Sequence, residues 1–80
     1  MQNRIDQVKS AAKKVAEATG ISQGTAERYI AIAVSVALGE FASYLLTIEL
    51  EHFRNKANFA EEQLTALEAE VDIIVKQEKG

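Results

Sequence analysis

The chain's one histidine, His52, closes the tetrapeptide Glu49-Leu50-Glu51-His52. Residues three apart share a helix face, so Glu49 and His52 form a pair with the spacing of a metal site. Metal centres in helical bundles take further carboxylates from facing helices, and Glu61, Glu62 or a partner chain would have to supply them here. Glu40 falls on a different face of the same helix. With twelve acidic residues and one histidine such a pair arises readily by chance, so we read His52 as the point where a helix leaves the core and expect no cofactor. There is no cysteine to act as nucleophile or thiolate ligand. One histidine at a helix end does not activate a serine or threonine. No enzyme is expected.

The other residues able to do chemistry lie in "AKKVAEATGISQGTAERYIA", residues 12–31. Gly20 follows an apolar stripe (Ile5, Val8, Ala12, Val15, Ala16) where a helix ends on a left-handed residue. Ser22 offers a hydroxyl to cap the next helix, and Thr25 is a second possible start. This stretch resembles the helix-turn-helix of bacterial and phage DNA-binding regulators. Ala16 matches the small residue four before the turn glycine, Ile21 the aliphatic residue after it, Ser22 the cap, and Tyr29 the residue that packs the second helix back. The resemblance implies that Ser22, Gln23, Thr25, Glu27 and Arg28 stand at the start of a helix in the major groove. Gln23 would then reach adenine and Arg28 guanine or phosphate, with Lys13 and Lys14 on the backbone. Ala26 stands where the pattern prefers a larger aliphatic residue, Gly24 weakens the first turn, and Glu27 turns an acid toward phosphates. The resemblance covers about twenty residues.

Positioning these groups requires helices. The 80 residues contain no proline and four glycines, and such a chain has little to interrupt helix. It is expected to be all-α, with three helices. The first covers residues 2–19, with Ser10 as a possible internal start. The second runs from about 23 to about 57. The third starts near Asn58, an N-cap, and carries Ala60, Leu64, Leu67, Val71 and Ile74 at spacings of four, three, four and three. The long central helix and the last are expected to form an antiparallel hairpin. Residues 1–31 would form the head and residues 32–80 an oligomerisation region of the same domain.

Hydrophobic residues make up 48% of the chain, yet only five are aromatic, so a monomer's core would be thin and self-association is expected. Ile30, Val34, Leu38, Phe41 and Leu45 of the central helix, with Leu64, Leu67, Val71 and Ile74, are the residues expected at that interface, in a dimer by default. Residues 30–48 also carry a single charge, Glu40, and would serve as one membrane span. A small and polar stripe through Tyr29, Ala33, Glu40, Ser43, Tyr44, Thr47, Glu51 and Arg54, and the absence of interfacial tryptophan, argue for burial in protein instead.

The net charge of −3 divides into +2 for residues 1–32 and −5 for residues 33–80. A basic front on an acidic body fits a nucleic-acid-facing head, and Glu61, Glu62, Glu68, Glu70 and Asp72 offer an acidic surface to solvent or to a basic protein partner. The N-terminus lacks the apolar run of a signal peptide, which gives the cytoplasm as the expected compartment. The function expected first is a small homo-oligomeric DNA-binding regulatory or accessory protein. Its rivals are a helical assembly protein without DNA contact and a single-span membrane protein.

Overall fold

Asn3 and Gly20 bracket the first helix. In a computed structural model, which describes residues 3–40 and 43–80, α1 spans Arg4–Thr19 without a break at Ser10. The Asn3 side chain accepts from the Asp6 N–H at 2.9 Å, satisfying one of the amides a helix start leaves free. Gly20 ends the helix at φ +79°, its N–H donating to the Ala16 carbonyl at 2.9 Å. Ser22 then caps α2, Gln23–Ala37.

The expected long central helix is two helices. The Gly39 N–H donates to the Val36 carbonyl and the Glu40 N–H to the Ser35 carbonyl, both at 3.1 Å, with Gly39 at φ +66°. This pair of bonds around a left-handed glycine is a Schellman stop. The chain resumes in α3, Ser43–Ala57. α2 and α3 have 15 residues each, about 22 Å, against the roughly 30 Å of a bilayer's hydrocarbon. Among the described residues no helix is long and apolar enough to cross a membrane, and the stop at Gly39 divides residues 30–48 between two helices.

Asn58 also does something other than expected. It closes α3 from the left-handed region, at φ +53°, its N–H reaching the Arg54 carbonyl at 3.1 Å. α4, Glu61–Lys79, starts two residues later on Ala60. There the Gln63 side chain accepts from the Ala60 N–H at 2.9 Å. Glu61 and Glu62 occupy the first turn and Lys76 and Lys79 the last, each sign at the favourable end of the helix dipole.

All described elements are thus helical, and there are four of them. α2 packs against each of the other three, and α1 also packs against α4. Arg4, at the start of α1, bonds to Glu40, beyond the end of α2, so the two helices run in antiparallel order. Arg4 also lies 3.4 Å from Glu78, while the Gln63 amide donates to the Thr19 carbonyl at 3.4 Å. α1 and α4 are therefore antiparallel as well, which makes α2 and α4 parallel. The C-terminal helix is thus antiparallel to the first helix and parallel to α2, the first half of the expected central helix, while α3, its second half, meets α4 through Arg54 and Glu68.

The core lies between α1, α2 and α4. Ala12, Ala26, Ile30, Val34 and Leu67 are wholly enclosed, with Val15, Tyr29 and Ile74 nearly so. The alanines of α1 and α2 let two backbones approach closely, and the larger side chains of α4 fill the remaining space. Of the described side chains of α3 only Leu50 joins this buried set.

Candidate functional site

At the start of α2 the Ser22 hydroxyl accepts from the Thr25 N–H at 3.2 Å and donates to Thr25 Oγ1 at 2.7 Å. The Gln23 amide donates to the Glu27 carboxylate at 3.1 Å, one turn on. Arg28 lies against α3, its guanidinium carbon 5.1 Å from the centre of the Phe53 ring and Nη2 3.6 Å from Glu49 Oε1. Ser22, Gln23 and Arg28 are exposed and Thr25 is half-buried.

Lys13 and Lys14 are exposed on α1, but Lys14 lines a groove against α4, beside Glu70, Ile73 and Gln77. Arg28 lines a different groove, between α2 and α3. The six residues expected to meet DNA are therefore not gathered in one groove.

Glu49 and His52 both line the α2–α3 groove, with Glu49 turned to Arg28. Among the described residues no group of three or more His, Asp or Glu side chains stands close enough to hold a metal ion. The acidic run of the last helix is divided among several tasks. Glu68 pairs with Arg54 at 3.3 Å and Asp72 with Lys76 at 3.0 Å. Glu70 is half-buried beside α1, and Glu61 and Glu62 are exposed.

Three of the five aromatic rings join α2, α3 and the link to α4. Tyr29 meets Phe59 edge-on at 5.4 Å and Phe53 at 6.3 Å between ring centres. Phe53 and Phe59 stack at 6.0 Å. Such contacts hold the end of α3 against α2 beyond what area alone provides. The Tyr29 hydroxyl accepts from Arg54 Nη2 at 2.8 Å and lies 3.4 Å from Glu68 Oε1. Burial raises the Tyr29 pKa above its ordinary value, and the Arg54 guanidinium opposes part of that rise. Tyr29 thus packs α2 onto its neighbours, a place expected of it in the turn motif, although the small and polar stripe grouped it with the exposed Tyr44. At the opposite end of the molecule, the hydrogen bond from Arg4 holds the Glu40 carboxyl below the usual carboxylate range.

The residues expected at a self-association surface divide in the same way. Ile30, Val34, Leu67 and Ile74 are enclosed within the chain's own core, with Leu38, Leu64 and Val71 packed half-buried against it. They do not form an outer surface. Phe41 lies outside the described residues. Leu45 is 61% exposed, and beside it stand Tyr44 at 75% and Ile48 at 51%. These three sit at i, i+1 and i+4 on the outer face of α3, one contiguous apolar strip. Sequence reasoning does not single out Tyr44 and Ile48 for an interface. Their signal is the uncharged stretch "FASYLLTI", residues 41–48, which by composition alone reads as part of one buried helix.

No family model, curated protein or solved structure matches the chain.

Proposed function

We propose that the chain is a small helical assembly protein that acts as a homo-oligomer, its copies joined through the outer face of α3. One observation carries this reading: Tyr44, Leu45 and Ile48 expose a contiguous apolar strip on a stretch without charge. Large side chains grouped on a surface mark association sites far more often than isolated ones do. An uncharged apolar strip is also compatible with itself, because bringing two copies together across a two-fold axis opposes no like charges. The compartment that goes with this reading is the cytoplasm.

Sedimentation equilibrium tests it. The wild type is expected above monomer mass at micromolar concentration, and Ile48→Glu at monomer mass with an unchanged circular-dichroism spectrum. A wild type that sediments as a monomer throughout the range overturns the proposal.

A second reading, contact with duplex DNA at the start of α2, is favoured by the exposed Ser22 and Gln23 beside the left-handed Gly20. It ranks lower because Gln23 is engaged by Glu27 and Lys14 looks into another groove. Anisotropy of a labelled random duplex at low salt separates the two readings. DNA contact requires binding that falls steeply with salt and is lost in Gln23→Ala/Arg28→Ala.

A further inference from the structure

The groove between the start of α2 and the end of α3 has a volume near 280 Å³. That lies just under the roughly 300–1,000 Å³ of small-molecule sites, a scale suited to side chains of a docked peptide. Its lining combines two chemistries. Phe53, Ala57 and Thr25 supply apolar surface, while Arg28, His52 and Lys56 bring nitrogen donors, with Glu49 the one acid. In a chain of net charge −3 the groove carries two cations, Arg28 and Lys56, against the single acid Glu49.

Among the described arginines Arg28 is the least engaged. Arg4 is held by Glu40 and Glu78, and Arg54 by Tyr29 and Glu68. Arg28 has only Glu49, at 3.6 Å, beyond hydrogen-bond range, and its side chain is 64% exposed. Its placement over the Phe53 ring fixes the guanidinium without using its N–H groups, which leaves them free to meet a carboxylate. Lys56 and His52 are exposed. The start of α2, with the positive end of its dipole, lies on the same side.

We propose that this groove docks an acidic peptide segment of a partner protein, a carboxylate taken by Arg28 and Lys56 and a neighbouring aliphatic side chain laid against Phe53 and Ala57. Duplex DNA fits the arrangement less well. Its phosphates would make no use of the apolar lining, and Lys14, which would extend the track of cations, lines a separate groove. The inference is independent of self-association, since Tyr44, Leu45 and Ile48 are not among the lining residues.

The test is anisotropy of a short fluorescein-labelled peptide of Asp, Glu and Leu, with unlabelled random duplex DNA and inorganic phosphate as competitors. A counterpart with Lys in place of Asp and Glu serves as control. Saturable binding of the acidic peptide alone is expected, weakened roughly five- to tenfold by Lys56→Glu and by Arg28→Met. Lys56 is exposed and packs into no core, so its variant remains folded even if Arg28→Met disturbs the Phe53 contact. Ile48→Glu leaves peptide binding unchanged, which separates this proposal from the assembly reading. Binding of both peptides alike, no saturable binding, or an affinity indifferent to Lys56→Glu overturns the proposal. So does tight, salt-sensitive duplex binding that displaces the peptide, because the groove would then be a nucleic-acid site.

Discussion

The assembly of α1, α2 and α4 and the attachment of α3 follow different rules. In the first, each helix touches the other two, and Ala12, Ala26, Ile30, Val34 and Leu67 are removed from water altogether. α3 packs mainly against α2 and reaches α4 through the Arg54–Glu68 pair. It contributes Leu50 to the buried set, is anchored near its end by Phe53 and Arg54, and leaves Tyr44, Leu45 and Ile48 in solvent. The difference shows that hydrophobic content alone does not locate a core. The two 15-residue halves of the central apolar stretch differ in what faces them: α2 packs against all three other helices, α3 mainly against α2.

The sharpest way to break this comparison is to remove one large side chain from each region. Leu67→Ala is expected to lower stability by about 3 kcal/mol in urea denaturation, because it empties the centre of three packed helices. Leu50→Ala is expected to lower it by about 2 kcal/mol, since its site borders an open cleft and can relax. Equal losses would mean that α3 is cored as fully as the rest. Next in size are the glycines. Gly20 sits at φ +79°, and a Cβ added there would meet nothing within 4 Å, so Gly20→Ala is expected to cost about 1 kcal/mol through backbone strain alone. Gly24 is helical and equally open, so Gly24→Ala is expected to add about 0.5 kcal/mol. Thermal denaturation of the two variants should give shifts of opposite sign.

The corner joining the two regions responds to acid. Because the Glu40 carboxyl is held below its usual range by Arg4, its contribution is complete above the ordinary glutamate value of about 4.3 and is lost as pH falls through the lowered one. Denaturation midpoints followed downward from pH 5 should therefore fall more steeply for wild type than for Glu40→Gln. The smallest effect belongs to the exposed strip. Leu45→Ser should leave the stability of the monomeric fold within about 0.5 kcal/mol of wild type in dilute solution. A larger loss there would show that α3 buries more than the monomer structure displays.

Much of this architecture is legible in the sequence where local chemistry and burial agree. Gly20 and Ser22 mark the α1–α2 turn by backbone freedom and capping, and both act there. The seam of the last helix is present because Leu67 and Ile74 meet a core at that spacing. Gly39 is misleading because apolar residues on both sides suggest one uninterrupted helix. Its left-handed φ, the property that stops α2, leaves no mark in hydrophobic periodicity. Asn58 could cap the following helix or close the preceding one from a left-handed conformation, and composition does not choose between these. The candidate site is harder still. Lys14 and Arg28 are separated by fourteen positions, but only the angle between two helices decides whether they share a groove. Tyr44 and Ile48 are indistinguishable from core residues in sequence, since what exposes them is the absence of a covering helix among the described residues.

The ion pairs of Arg4 with Glu40 and Glu78 have a mechanical consequence. Because α1 and α4 are antiparallel, residues near the two ends of the described chain meet at one end of the molecule. Tension applied across those ends would not shear the long α1–α4 contact all at once. It would peel the helices apart one turn at a time, beginning at Arg4, and the force resisted at any moment would be that of a single turn.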